Sequence, residues 1–136
     1  MFPFYLALAL DDASRTALRS MWPPQHSVLF GDHITIQYDS ISEQAAKMLN
    51  TKPRVTVLGY AADDRIDCAL VMVNGDVLRP DGLFYHVTMS CAKGVKAYES
   101  NILIRRSLDN RRVRYSYKEL QLNGMVRMLT KSDAKT

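Results

Sequence analysis

The chain has 136 residues, of which 47% are hydrophobic, and a formal net charge of +4. This length predicts a single domain, 1–136, with enough apolar side chains to form a core. No apolar run approaches the roughly 18 residues that cross a bilayer. The stretch from Met1 to Leu10 also lacks the basic start and the cleavage site of a signal peptide. We therefore predict a cytoplasmic protein that does not interact with membranes.

Cysteine and histidine are too sparse to indicate a metal site. Cys68 and Cys91 lie in apolar runs, where a thiol behaves as a small hydrophobic side chain. Neither C-x-x-C nor H-x-x-x-H spacing occurs in the sequence. We therefore predict chemistry that needs no metal and no other cofactor, and the sequence indicates no obligatory protein partner.

Positive charge is concentrated near the C-terminus. Residues 105–136 carry nine Lys and Arg against three Asp and Glu, whereas residues 1–104 carry nine against eleven. A local positive potential raises the encounter rate with anionic ligands such as phosphates. The alternative, with similar weight, is a solvated face beside a tail.

The pattern predicts mainly strands, with two or three helices. Pro23 and Pro24 are expected to end the first helix, and Asn123-Gly124 is typical of a hairpin turn. The basic segment 105–136 is thus predicted to include a hairpin. In chain order we predict a strand over 4–10, a helix over 12–21, a strand over 28–38 broken near Gly31, a helix over 42–50, strands over 54–61, 66–73 and 84–91, a loop leading into a helix or irregular segment over 95–107, and strands over 112–122 and 125–129.

Two strand segments carry the same polar pattern. Side chains of a strand alternate between its faces, so His33 and Thr35 share one face of the first segment. In the second segment His86, Thr88 and Ser90 share a face in the same phase. A single His-x-Thr motif is weak, but two copies in matched phase use two of only three histidines in the chain.

Such pairs suit phosphodiester chemistry. Imidazole has an unperturbed pKa near 6.5, so one histidine can accept a proton while the other donates one. A threonine hydroxyl two residues away can donate a hydrogen bond to a phosphate oxygen as negative charge develops. We therefore predict that the two pairs bracket one phosphorus atom.

The paired motifs, preceded by a strand and a helix, resemble those of the two-histidine phosphoesterase superfamily. The resemblance extends from Phe4 to about Asn123. It implies an α+β, bilobal fold in which two antiparallel sheets, flanked by helices, surround a central cleft. It also implies the catalytic set His33, Thr35, His86 and Thr88.

Within that superfamily, the chain is most similar to small phage nucleases of the anti-CBASS type. The matching features are Tyr5, the run from Arg79 to Gly82 before the second motif, and Ser100-Asn101 after it. This likeness implies hydrolysis of 3′–5′ bonds in cyclic di- or trinucleotide immune signals, in the host cytoplasm. Two alternatives remain open: a 2′,3′-cyclic phosphodiesterase acting on RNA ends, and a non-catalytic protein that sequesters nucleotides.

Further residues are candidates for substrate binding. Tyr5 is expected to stack on a base, or else to belong to the core. Glu119 is a candidate acceptor for a guanine edge, although an exposed strand glutamate is more common. Lys93 is a candidate for phosphate neutralisation, or is simply a solvated loop residue. Ser90 continues the polar face of the second motif, and His26 is expected to be a surface residue.

Overall fold

The computed structural model describes residues 4–38 and 40–130. Nine strands and three α-helices occur in this part of the chain. They are β1 Phe4–Leu10, α1 Asp12–Met21, β2 Val28–Leu29, β3 His33–Gln37, α2 Glu43–Ala46, β4 Val55–Ala62, β5 Ile66–Val73, β6 His86–Cys91, α3 Ser100–Asp109, β7 Arg114–Tyr115, β8 Gln121–Leu122 and β9 Gly124–Thr130. Of the helices so described, none is long and apolar enough to cross a membrane.

The strands form two antiparallel sheets. The smaller sheet has the order β3-β1-β9, and the larger has the order β2-β6-β5-β4-β7, with β8 also paired to β4. With its helices, this architecture confirms the predicted α+β class with two antiparallel sheets. The predicted strands over 54–61 and 66–73 correspond to β4 and β5, which form an antiparallel hairpin.

The predicted break in the strand over 28–38 is where the chain passes from one sheet to the other. β2 pairs with β6 in the larger sheet. The backbone N–H of Gly31 still donates to the carbonyl of Thr88 at 2.8 Å. Gly31 has φ of +88°, a conformation that glycine adopts readily, and Asp32 then accepts from the N–H of Leu10 in the smaller sheet. The two sheets therefore meet along β3 and β6, and we call this line of contact the seam.

One hydrophobic core lies on the same side of both sheets. Ile34 and Ile36 of β3 and Val87 and Met89 of β6 belong to it and are buried. The alternate residues of these strands consequently point to the opposite side, which carries the two His-x-Thr motifs. A second cluster of apolar side chains lies between the larger sheet and α3.

Helix α1 ends where the sequence predicts, but α2 is shorter than expected. Asp11 caps α1 by accepting from the N–H of Ser14 at 2.8 Å, and Trp22 follows its last residue. Ser42 caps α2 in the same way, by accepting from the N–H of Ala45. α2 ends at Ala46, and the chain continues as turns rather than as a helix to residue 50.

The predicted hairpin at Asn123-Gly124 is wrong. β8 pairs with β4 in the larger sheet, whereas β9 pairs with β1 in the smaller sheet. Gly124 is needed for close packing, because a Cβ there would lie 2.2 Å from the carbonyl oxygen of Ala9. Asn123-Gly124 is therefore a crossing between sheets.

Candidate active site at the seam between the sheets

The contact between the two sheets brings the two histidine-bearing strands close together. Val28 pairs with Cys91, and Gly31 still bonds to Thr88. After Gly31 the chain leaves the larger sheet, and His33, the first residue of β3, pairs with Ala9 of β1 in the smaller sheet. β3 and β6 keep Cα atoms within 8 Å of each other although they belong to different sheets.

His86 is buried and held in one orientation. Its Nδ1 lies 2.9 Å from the carbonyl oxygen of Phe84, so Nδ1 carries the proton and donates it in this bond. In the neutral ring, Nε2 is then left with its lone pair. This is the form of imidazole that accepts a proton from a nucleophile.

Several effects favour the neutral form of His86. Burial lowers its pKa from 6.5 to about 4, and the positive charges of Arg79 and His33 act in the same direction, whereas the bond to Phe84 opposes them. The charge of His33 thus acts on the His86 ring across the contact between the two sheets. Arg79 is itself buried and forms a two-point ion pair with Asp81, with an Nε to Oδ1 distance of 3.1 Å.

His33 is half-buried and contacts Tyr5. The Tyr5 hydroxyl lies 3.3 Å from Nε2 of His33, and the ring centroids are 5.5 Å apart. A charged His33 would donate this hydrogen bond. Tyr5 is fully buried and also packs against Tyr38. It therefore supports the His33 ring from within the protein and does not offer a ring face for a base to stack on.

The two threonines differ in their support. The Thr88 hydroxyl lies 2.9 Å from the hydroxyl of Ser100, a fully buried residue at the start of α3. Thr35 is half-buried and pairs with Ala7 of β1. Ser100 therefore orients the Thr88 hydroxyl. The position of the serine after the second motif was the one hint of this contact in the sequence.

The structure adds Arg127, which the sequence analysis missed. Ala7 pairs with Thr35 on one side and with Arg127 on the other, so all three side chains share one face of the smaller sheet. Arg127 is exposed and lies two strands from Thr35. Its position depends on the pairing of β1 with β9, which are more than a hundred residues apart in the chain.

Ser90 is not brought to this site. It is fully buried, and its hydroxyl donates to the carboxylate of Asp67, which also accepts from the hydroxyl of Tyr60. Ser90 also accepts from the backbone N–H of His26 at 3.0 Å. His26 is half-buried rather than free on the surface, since its Nε2 lies 3.0 Å from the carbonyl of Asp63.

Lys93 and Glu119 also lie away from the histidines. Lys93 is exposed and follows the end of β6 that is remote from His86. Glu119 is exposed beside β8, which pairs with β4 two strands beyond β6, and accepts from Gln121 at 3.1 Å. The arginines of residues 105–114 occupy α3, the turn that follows it and the edge strand β7 instead of the seam.

Within residues 4–38 and 40–130, no cluster of three His, Cys, Asp or Glu side chains is arranged to hold a metal ion. Both cysteines are free and buried, in agreement with the prediction that they are hydrophobic side chains. Burial raises the pKa of the Cys91 thiol to about 11, which keeps it protonated at neutral pH.

Comparison with known proteins gives a fold relationship. No protein-family model and no curated protein matches the sequence. Among solved structures, the crystal structure of a fungal RNA kinase matches with a TM-score of 0.67 and 17% sequence identity. The match covers 96% of this chain but 46% of that one, so the chain spans about half the length of the kinase structure. At this identity the likeness shows a shared fold.

Proposed function

We propose that the protein is a phosphodiesterase that acts on nucleotides, with His33 and His86 as its proton-transfer groups. The observation that carries this proposal is the closeness of β3 and β6, whose core residues Ile34 and Val87 leave His33 and His86 on the side opposite the main core. Each histidine is followed, two residues later on the same face, by a threonine hydroxyl.

The surroundings of the two rings favour different roles. His86 is the general base, because its Nδ1 proton is held by Phe84 and its Nε2 lone pair remains to accept a proton. The negative charge of a bound phosphate raises the pKa of a nearby imidazole toward the range that suits a base. His33 is the general acid, and its contact with Tyr5 supports the charged ring.

The reaction is an in-line displacement at phosphorus. An oxygen nucleophile, water or a neighbouring 2′-hydroxyl, forms a new P–O bond while its proton passes to His86. The P–O bond to the leaving ribose oxygen breaks, and His33 supplies the proton to that oxygen. When a 2′-hydroxyl attacks, the product is a 2′,3′-cyclic phosphate, and the two histidines exchange roles when water opens it.

Three side chains are placed to compensate the charge on the phosphate oxygens. Thr35 and Thr88 donate hydrogen bonds from the two walls of the seam, and Arg127 supplies a positive charge from the same face of the smaller sheet. Because Ser100 holds the Thr88 hydroxyl, this donor is oriented before substrate arrives.

The substrate we propose first is a cyclic di- or trinucleotide with 3′–5′ bonds, as the likeness of the motifs to anti-CBASS nucleases implies. A 2′,3′-cyclic phosphate at an RNA end is the second candidate, and the structural similarity to a fungal RNA kinase favours it. Both substrates present a phosphodiester beside ribose, so the same four residues serve either reaction.

Turnover in excess EDTA tests the catalytic proposal. We expect the wild-type protein to retain its activity, and His33→Ala and His86→Ala each to lose a factor of about 10²–10⁴. His26→Ala is the matched control, because this third histidine lies elsewhere, bonded to Asp63. Full activity in either seam variant, or loss of wild-type activity to EDTA, would contradict the proposal.

A competition assay separates the two substrates. Cyclic GMP–AMP and a 2′,3′-cyclic mononucleotide are offered together, and the kcat/KM ratio is taken from the products. A ratio above ten for either compound assigns the substrate class. Tight binding of both without any product over several hours would indicate the nucleotide-sequestering alternative.

A further inference from the structure

A basic and aromatic surface lies at the outer edge of the larger sheet. We call it the edge patch, and its members are exposed residues of β7 and the adjoining turns: Arg111, Arg112, Arg114, Tyr115, Tyr117 and Lys118. Tyr115 pairs with Gly59, Gly59 with Leu70 and Leu70 with His86. Three strand spacings, about 14 Å, therefore separate the edge patch from His86.

The two tyrosines of the edge patch are unusually open. Tyr115 is 73% exposed and Tyr117 is 75% exposed, whereas Tyr5 and Tyr60 are buried. The Lys118 ammonium lies 5.7 Å from the centre of the Tyr117 ring. Exposed aromatic rings that alternate with cations provide stacking surfaces for bases next to charges for the phosphates.

Three of the four cations of the edge patch have no acidic partner among the described residues, and the fourth, Arg114, lies over the ring of Tyr60. Arg111, Arg112 and Lys118 form no ion pair with any residue in 4–38 or 40–130. By contrast, the nearby Arg106 pairs with Asp63 at 3.5 Å, and Arg65 pairs with Glu99 at 3.0 Å. A group of adjacent unpaired cations fits an anionic ligand.

Arg111 also occupies a conformation that is unfavourable for its side chain. It follows the C-cap of α3 with φ of +54°, in the position where glycine is usual. The N–H groups of Arg111 and Arg112 bond back to the carbonyls of Leu108 and Ser107, which closes the helix in a Schellman motif. An arginine at this position is a strained residue, and such strain is typical of functional sites.

A surface pocket adjoins these residues. Its volume is about 300 Å³, and its walls include Leu108, Arg111, Val113 and Tyr115. This volume is at the lower end of the range for small-ligand sites, which suits a single planar group such as a nucleobase. The lining of the pocket thus combines apolar side chains with a cation.

We propose that the edge patch binds single-stranded nucleic acid, with bases stacked on Tyr115 and Tyr117 and phosphates beside the arginines. No residue of the edge patch belongs to the seam, so this inference does not rest on the phosphoesterase proposal. Binding of this kind is tolerant of sequence and weakens steeply as salt is added.

Fluorescence anisotropy of a labelled twelve-residue oligouridine tests the proposal. All measurements use the full chain carrying His86→Ala, in buffer that contains EDTA, so that turnover of the probe does not affect the result. We expect Tyr115→Ala/Tyr117→Ala to weaken binding at least tenfold. Arg112→Gln should weaken it less and reduce the slope of log affinity against log salt by about 0.7.

Two exposed residues outside the edge patch are matched controls. Tyr98→Ala removes another open tyrosine, which is 68% exposed, and Lys52→Ala removes another exposed cation. Equal loss in Tyr98→Ala and in the tyrosine double variant would overturn the proposal. Two competition results would also overturn it. If polyglutamate displaces the probe as well as unlabelled oligouridine does at equal charge concentration, the surface binds an acidic protein. If anionic phosphatidylserine vesicles do so, it binds a membrane.

Discussion

The seam and the edge patch carry polar side chains under opposite conditions. At the seam, Phe84 holds His86, Tyr5 contacts His33, and Ser100 holds Thr88. At the edge patch, the tyrosines and arginines are exposed, and the backbone at Arg111 is strained. Supported and partly buried groups suit chemistry that needs fixed geometry, whereas exposed cations and rings suit adaptable binding. The contrast leads to predictions of decreasing size.

The largest expected effect of a substitution on stability is at Gly124, where the chain crosses between the two sheets. In Gly124→Ala the new Cβ would lie 2.2 Å from the Ala9 carbonyl oxygen and 2.6 Å from Leu8. We expect a loss of about 3 kcal/mol in the free energy of unfolding, measured by urea denaturation. Gly75→Ala is the control: φ is +84° but no atom lies within 4 Å, so the loss should be about 1 kcal/mol. Equal losses in both variants would show that β1 and β9 are not closely packed.

Features of the fold that depend on neighbouring residues in the chain could be predicted from the sequence, whereas features that depend on residues far apart in the chain could not. Strand alternation is local, so the phase of His33 and Thr35 follows from the sequence alone, as does the end of α1 before Pro23. The partner of a strand is not local. Asn123-Gly124 looks like a hairpin, yet its glycine is required by Ala9, more than a hundred residues away.

The same limit explains the site residues that the sequence misplaced or missed. Arg127 shares a face of the smaller sheet with Thr35 only because Ala7 pairs with both residues. Ser90 has the right phase for the polar face of β6, but the buried Asp67 takes its hydroxyl. Tyr5 has the predicted position, and its burial against Tyr38 favours the second of the two roles that the sequence left open, that of a core residue.

The pH dependence of stability tests the environment of His86. Its folded pKa of about 4 lies below the ordinary 6.5, so the unfolded chain takes up a proton first as the pH falls. This contribution to stability is complete above pH 6.5 and is lost between pH 6.5 and about 4. Relative to His86→Gln, the wild type should lose about 3 kcal/mol in unfolding free energy from pH 7 to pH 4. Parallel curves for the two proteins would mean that the histidine is accessible to water.

The hydrogen bond between Ser100 and Thr88 predicts an intermediate effect of substitution on the reaction rate. Ser100→Ala removes the partner of the Thr88 hydroxyl, and we expect kcat to fall about tenfold with KM nearly unchanged. Asn101→Ala is the control, because its amide bonds to the Tyr98 carbonyl instead. A rise in KM alone would place Ser100 in substrate binding rather than in the orientation of Thr88.

The smallest expected effect is at the edge patch, and its two readouts should move in opposite directions. Arg111→Gly relieves the strain of a left-handed arginine, so the free energy of unfolding should rise by about 1 kcal/mol. The same change removes a cation and should weaken oligouridine binding severalfold. Asn110→Gly controls for added chain flexibility beside it. A variant that is stabler and binds equally well would remove Arg111 from the nucleic-acid surface.

The central claim, that both histidines act on one phosphate, is tested most directly by a double-mutant cycle at the seam. The single-turnover rate of a 2′,3′-cyclic mononucleotide and of a cyclic dinucleotide is measured for wild type, His33→Ala, His86→Ala and the double variant. Residues that act as one unit are strongly non-additive, so we predict a double variant about as slow as the slower single variant. Losses that multiply would show that the two histidines act independently and would contradict the claim.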